Sequence, residues 1–466
     1  MGEATVSRDV PPRIDAEAEV VVIGAGACGL VTALRAKAAG AEVIVLERDA
    51  SPSGSTSMSS GFVPAPATRF QHAIGIDDDT PELFVADIMT KSKGTSRRDI
   101  AKLAAENIGP AVEWLADHAG VEWIVLDDFL YPGHSCHRMH AVPEKTGAAL
   151  EARLLAAVEA AGIPVVTEAR AVGLYVEEKK IRAVEIERPG RKREIVACGA
   201  LVLACNGYGG NPDLLREYVP EIAGGLYYGH AGNTGDAIIW GRALGADTGD
   251  LSGYQGHGSL AHPHGILISW ALMMEGAIQV NSEGKRFSNE HGGYSEQAVN
   301  VLAQPGGIAW NIYDARIHEF ALSFPDYRDA LQAGAIRQAP DIAALADTTG
   351  IARNALEQTL QRVQILQRGE ESDAFGRDFA GKPAFAPPYF AVKVTGALFH
   401  TQGGLLIDRT ARAVDVRGNP FPNLFAGGGA ACGVSGPDVS GYLSGNGLLT
   451  AIALGFMAGA NAAAAA

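Results

Sequence analysis

The sequence predicts an α/β fold, with a parallel sheet built on a βαβ unit, a small antiparallel meander joined to it, and an inserted α+β domain. Near the start, the β-branched run Glu19-Val20-Val21-Val22-Ile23 leads into Gly24-Ala25-Gly26-Ala27-Cys28-Gly29. Residues 30–39 then read as a helix that Gly40 breaks, and 42–46 as a second strand ending at Glu47. Two further apolar strands, at 200–204 and 423–426, also run into glycines. The sheet opened at the N-terminus is therefore expected to take its last members from far along the chain.

A Gly-x-Gly-x-x-Gly turn between strand and helix, with an acidic residue ending the next strand, is a dinucleotide-binding fingerprint. Its glycines permit a tight turn and close backbone approach to a pyrophosphate, which the unpaired N–H groups of the helix N-terminus then face. Gly24, Gly26, Ala27, Cys28 and Gly29 are the expected phosphate-binding residues, and Glu47, beside Arg48, the acceptor for a ribose diol. Where a plain nicotinamide domain would proceed to its next helix, residues 51–61 are instead rich in Ser, Thr and Gly. Such a stretch suits packing along an extended cofactor such as FAD, with Ser55, Thr56, Ser60, Gly61 and Phe62 as contacts. Ala171, Asn206 and Gly207, and later Gly429, are the contacts expected from other strands.

At 466 residues the chain is long enough for two or three domains. Its 47% apolar and 20% charged composition is that of a soluble globular protein, and a net charge of −15 argues against nucleic acid or anionic membranes as partners. The opening residues lack a signal-peptide pattern, position 6 is Val where a myristoylation signal needs Ser or Thr, and no run reads as a bilayer span. The five cysteines include no CxxC pair, which argues against cysteine-ligated clusters or attached haem and suits a reducing cytoplasm.

The expected organisation is a loose arm at 1–16, a cofactor domain at 17–252, an inserted capping domain at 253–385 and a return to the cofactor domain at 386–466. Residues 81–91, 98–119 and 146–161 read as helices, and 164–168, 171–177 and 181–187 as the meander. Loop 131–140 carries His134, His137 and His140 without metal-ligand spacing, and reads as a surface or active-site loop. Asp236, at the start of a helix through 244, is either a cap or a cofactor contact. The insertion holds helices at 314–322, 325–334, 341–347 and 352–368 and ends near Pro387-Pro388. Gly445-Asn446-Gly447-Leu448 opens an Ala-rich final helix whose N-terminus can face an electron-rich flavin carbonyl, with Gly445, Gly447 and Leu448 in contact.

In order along the chain stand the fingerprint with Glu47, Ser55-Thr56 through Ser60-Gly61, Leu203-Ala204-Cys205-Asn206-Gly207, Thr234-Gly235-Asp236 and Gly284-Lys285-Arg286-Phe287-Ser288-Asn289-Glu290. His400-Thr401-Gln402-Gly403-Gly404, Ala426-Gly427-Gly428 and Gly445-Asn446-Gly447-Leu448 complete the series. Together they resemble the fumarate reductase/succinate dehydrogenase flavoprotein superfamily, which includes the 3-ketosteroid dehydrogenases. The resemblance spans nearly the whole chain from residue 19. It implies a Rossmann-like FAD-binding domain, a mobile capping domain and substrate at their interface. It also implies non-covalent FAD, because Ser55 stands where respiratory members carry a tethering His. Fumarate reductases place a carboxylate-clamping Arg where Tyr442 stands here, and losing that bidentate guanidinium disfavours a dicarboxylate. Tyr442-Leu443-Ser444-Gly445 and Tyr294 look instead like the 4-ene-forming 3-ketosteroid dehydrogenases. Arg286 matches the proton-delivering Arg of fumarate reductases, and His400 their carboxylate-binding His.

The reaction so implied is desaturation of a cyclic ketone, steroidal or monocyclic, with an external electron acceptor. An α-proton leaves to a base while the β-hydrogen leaves as hydride to flavin N5, and the enolate oxygen needs hydrogen-bond donors. Tyr442 is the expected base, its hydroxyl (ordinarily near pKa ~10) assisted by Ser444 and the helix end. Tyr294 would polarise the carbonyl or relay the proton, and the two tyrosines could exchange roles. Two alternatives stand beside this: a reductase of unsaturated carboxylic acids using His400 and Arg286, and a non-catalytic electron-transfer subunit. No second nucleotide fingerprint points to an internal NAD(P)H.

Overall fold

Val20, Val21, Val22 and Ile23 are buried because their strand, Ala16–Ile23, lies between two parallel partners, Val43–Leu46 and Lys192–Leu203. A strand covered on both faces carries an unbroken apolar run rather than an alternating one. The computed structural model describes residues 4–128 and 130–466. The chain folds into two units, the first made of Met1–Val219, Gly229–Tyr254 and His400–Ala466, the second of Pro220–Tyr228 and Gln255–Phe399.

The first unit is built on a nine-stranded sheet among the described residues. Strand Lys192–Leu203 joins its two halves. Its beginning pairs antiparallel with Lys180–Arg188, and its end pairs in parallel with Ala16–Ile23 and Pro420–Ala426. Helices start and stop where capping residues stand: Thr80 and Thr146 accept N–H bonds at the starts of Pro81–Lys91 and Gly147–Ala160, and Gly120 ends Arg98–Ala119 in the left-handed region.

Four expectations change in this unit. Segment 1–16 is not a loose arm: Thr5–Ser7 pairs in parallel with Gly173–Tyr175, and the Asp15 carboxylate accepts the Ile195 N–H at 2.9 Å. The open edge of strand Arg170–Glu177 recruits it. Residues 1–3 lie outside the described residues. Val165–Val166 pairs in parallel with Val45–Leu46, so the meander consists of Arg170–Glu177, Lys180–Arg188 and the start of Lys192–Leu203. Loop 131–140 lies only partly at the surface: Gly133 and Ser135 are exposed, but Arg138 and His140 are fully buried. Arg138 donates to Asp79 at 2.7 and 3.0 Å and also binds Asp87, so a charge inside the unit is neutralised by two carboxylates.

The fourth change concerns the final helix, Asn446–Ala465, which by length and composition is apolar enough to cross a membrane, yet 61% of its most apolar window is buried inside the unit. It packs on helix Ala27–Ala38. A Cβ on Gly455 would sit 2.6 Å from the Cys28 carbonyl oxygen, one on Gly459 2.4 Å from that of Thr32, and the Thr32 hydroxyl donates to Gly455 O at 3.1 Å. These contacts advance together along both helices, which therefore run parallel.

In the second unit, strand Tyr389–Thr401 is the centre of a sheet, bordered by Ile308–Asp314, Ile336–Ala339 and Leu226–Tyr227. The unit accordingly recruits Pro220–Tyr228 and runs to Phe399, past the boundary at 385 drawn from the sequence. Pro387 and Pro388 precede this strand, and the chain leaves the unit only at the strand's far end. Helices Ala315–Ala321, Pro325–Gln332, Ile342–Thr349 and Arg353–Gln367 fall within a few residues of their sequence-read positions.

Asp79→Ala leaves the buried Arg138 guanidinium short of its bidentate partner and is expected to cost about 3 kcal/mol of stability. Urea denaturation measures this, and an unchanged midpoint would show that the pair does not hold the loop.

Candidate active site

Gly24 takes φ +106 and a Cβ there would lie 2.5 Å from Ala204 O; one on Gly29 would lie 1.8 Å from Gly24 O. Only glycine fits this turn, which delivers the chain into helix Ala27–Ala38. Gly26 caps that helix with no side-chain hydrogen bond, so the N-terminus keeps N–H groups to offer. Ala27 N–H donates to Thr56 Oγ1 at 2.9 Å, which pins the 51–61 stretch beside the turn. Glu47 Oε2 accepts Ala25 N–H at 2.9 Å and Oε1 accepts Asp49 N–H at 3.0 Å, leaving each oxygen a second lone pair for a diol. The Cys28 side chain faces away from this work: a Cβ on Gly427 would touch its Sγ at 2.7 Å, and burial pushes the thiol up to about 12.

Ser55 Oγ receives Asn206 Nδ2 at 2.8 Å and Asn233 Nδ2 at 3.3 Å. Asn206 sits at φ +64, and Gly207 is so crowded that a Cβ would meet Thr401 Oγ1 at 2.0 Å. Gly429 closes the group, since a Cβ there would be 2.2 Å from Asn206 Oδ1. Gly61, at φ +73, lies against Thr146, and the Phe62 ring meets Tyr131 edge-on at 5.9 Å, whereas Ser60 is exposed. Arg48 donates to Gly232 O at 2.6 Å, and Ala171 is buried in strand Arg170–Glu177. Asp236 is not a cap. Gly235, at φ +80, is the N-cap, while Asp236 is the first helical residue, takes a hydrogen bond from Thr234 Oγ1 at 3.1 Å, and has its carboxyl pushed up by burial.

The final helix starts at Asn446 from Gly445, an N-cap at φ +87 without a side-chain bond, and Leu448 is buried in its first turn. Nine residues separate Asn446 from Gly455, about 13 Å of helix beyond the contact with Cys28. Two helix N-termini of one polarity thus stand staggered in the same unit. Just before the second lies the turn of Tyr442, held by Asp438, which accepts Ser440 N–H at 2.7 Å. The Tyr442 ring is buried and meets the His400 ring edge-on at 5.6 Å. Ser444 contributes its carbonyl, which accepts from His134 Nε2 at 3.0 Å. Sequence reading placed His134 in a surface or active-site loop without a partner, and gave no role to Gln402, whose Nε2 lies 2.8 Å from His400 Nδ1. The latter sits in the His400-Thr401-Gln402-Gly403-Gly404 motif, where the amide after the histidine was the available signal.

Arg286 and Tyr294 belong to the second unit. Arg286 is tied to Glu290 at 2.7 and 2.8 Å and to Asp373 at 2.7 and 3.2 Å. Burial opposes its charge, but the two carboxylates outweigh that and hold the guanidinium above its ordinary value. So held, it is a poor proton donor. Asp373 was not legible as its partner. Tyr294 opens helix Tyr294–Leu302 and stacks on His257 at 5.1 Å; His257 stacks in turn on Phe399 at 5.3 Å.

Residues 19–448 match the FAD binding domain family. A urocanate reductase of Eggerthella lenta is 28% identical over 477 residues, covering 97% of this chain and 76% of that protein. The open conformation of a flavocytochrome c3 fumarate reductase is similar with a TM-score of 0.83 and 28% identity, covering 97% of this chain and 79% of that one. The 3-ketosteroid-Δ4-(5α)-dehydrogenase of Rhodococcus jostii RHA1 is similar in fold, with a TM-score of 0.78 at 23% identity and 99% coverage of both chains. The helix N-terminus at Gly26, whose cap lends no side chain, the crowded glycines 24, 29, 207 and 429, and Glu47 at its strand end fit an extended dinucleotide.

Gly29→Ala drives a methyl into the Gly24 carbonyl, and FAD affinity is expected to fall on the order of a hundredfold, a strain of about 3 kcal/mol. Fluorescence titration of the apoprotein with FAD measures it; a wild-type Kd contradicts the assignment. Burial also holds His134, His140 and His400 to about 4, against 6.5 for the free imidazole. A depressed folded pKa contributes stability that is complete above about pH 6.5 and is lost as acid approaches the folded value, because the unfolded chain binds protons that the fold excludes. Urea midpoints should fall steadily from pH 7 to 4, and a flat profile would show these rings to be solvated.

Proposed function

The chain belongs to the FAD binding domain family and is an FAD-dependent oxidoreductase, and we propose that it desaturates a cyclic ketone, of 3-ketosteroid or cyclohexanone type, next to the carbonyl. One observation carries this reading: Tyr442, rather than a guanidinium, occupies the turn beside His400 at the start of the final helix. FAD, when bound, supplies the acceptor for the hydride. Tyr442 removes the α-proton, and the positive end of the final helix favours its phenolate form. Ser444 supports that turn, and Tyr294 polarises the carbonyl or relays the proton. Arg286, locked between Glu290 and Asp373, keeps its charge and its place rather than donating a proton. Ser55 has no ring nitrogen with which to tether a flavin, which supports non-covalent FAD. Electrons then pass to an external acceptor.

Reduction of an unsaturated acid is the second reading. It is favoured by His400 and by the urocanate and fumarate reductases among the relatives. Anaerobic mixing of oxidised holoenzyme with saturated 3-ketosteroids and substituted cyclohexanones separates the two. The expected result is bleaching of the visible flavin band and an enone product. Tyr442→Phe should slow that bleaching by about a thousandfold with little change in substrate affinity. Reoxidation of reduced enzyme by an unsaturated acid, with no ketone active, would replace this proposal with the reductase reading.

A further inference from the structure

We propose that Gln402 is a positioning residue that sets the tautomer of His400, so that the imidazole meets substrate as a neutral Nε2–H donor. The observation is a hydrogen-bond chain of one polarity inside the first unit. Asn446 Nδ2, on the first residue of the final helix, donates to Ser435 Oγ at 3.0 Å; Ser435 donates to Gln402 Oε1 at 2.7 Å; and Gln402 Nε2 reaches His400 Nδ1 at 2.8 Å. Ser435 and Asn446 are fully buried and Gln402 nearly so. A carboxamide nitrogen only donates, so Nδ1 must accept and the ring proton resides on Nε2.

The Thr401 carbonyl lies 3.4 Å from the same Nδ1 and competes for a proton there, at a longer distance than the 2.8 Å contact with Gln402. Satisfying it would require the Gln402 amide to reverse. That would set a second N–H donor on Ser435 Oγ and leave its hydroxyl without an acceptor unless the Asn446 amide reversed as well, which would turn Asn446 Nδ2 into the buried position where its Oδ1 now has no partner. Burial keeps the ring neutral, with its pKa held to about 4. The other edge of the ring lies over the start of the final helix: a Cβ on Gly447 would sit 3.1 Å from both Cε1 and Nε2, and the Tyr442 ring stands edge-on at 5.6 Å. A neutral N–H donor suits a ketone oxygen becoming an enolate, whereas a carboxylate is better met by a cation. That consequence rests on the function proposed above; the tautomer does not.

The test is ¹⁵N-histidine NMR of the holoenzyme, with His400 identified by signals missing in His400→Asn. The expected pattern is a neutral Nε2–H imidazole from pH 5.5 to 8.5. Gln402→Glu keeps the shape but offers only acceptors to Nδ1, so the ring should take a proton there at neutral pH, and Gln402→Met should mix the tautomers. With an active ketone, both variants should lower kcat by about tenfold, and Gln402→Glu should add a new limb to the pH profile. An Nδ1–H tautomer in the parent enzyme, or an unchanged His400 spectrum in Gln402→Glu, overturns the proposal. The expected spectra in an enzyme that turns over no ketone uphold the positioning role and defeat the reaction reading alone.

Discussion

The first and last helices touch backbone to backbone at Gly455 and Gly459, and the cofactor site depends on that contact. Larger side chains there would push the final helix away from Cys28 and Thr32 and carry its N-terminus with it. Because the helices run parallel and the last begins nine residues before the contact, two uncapped N-termini face one way, displaced along a common direction. Each presents the N–H groups of its first turn and a partial positive charge. A long, doubly polar cofactor can use both, one at a pyrophosphate and the other further along. The same contact explains how a helix apolar enough for a membrane is covered by protein instead.

Charge in the first unit is handled by pairing or by neutrality. Arg138 is shared by two carboxylates, and His134, which bonds to the Ser444 carbonyl, is held neutral by burial and by the neighbouring Arg138 charge. His400 is neutral for the first of these reasons. The groups beside Tyr442 are thus dipoles, which can stabilise a small developing charge without the desolvation cost of fixed ions. In the second unit the analogous economy is tighter: Arg286 and Arg377 converge on Glu290, with Asp373 completing the set. Together these pairs balance the two guanidinium charges with two carboxylates.

Local rules made much of this legible. The spacing of glycines marked the nucleotide turn and the start of the final helix, and the apolar runs beside them marked the buried strands. Edge recruitment was not legible, because Thr5–Ser7 has no pattern of its own and is ordered by a partner strand 168 residues away (Thr5 to Gly173). The boundary drawn at 385, just before Pro387-Pro388, failed for a similar reason: prolines mark a break in local structure, while the unit's limit follows which sheet the next strand joins.

By itself, then, the sequence determined the βαβ unit, the glycine turns, the helices and the set of residue types available for flavin chemistry, because each depends on backbone preferences and periodicity over a few residues. Only the tertiary structure decided what those side chains are free to do. Gln402 finds Ser435 across 33 residues, and Arg286 finds Asp373 across 87. Such pairings set protonation and orientation through distances of three ångströms or so, and no local pattern in a chain records them.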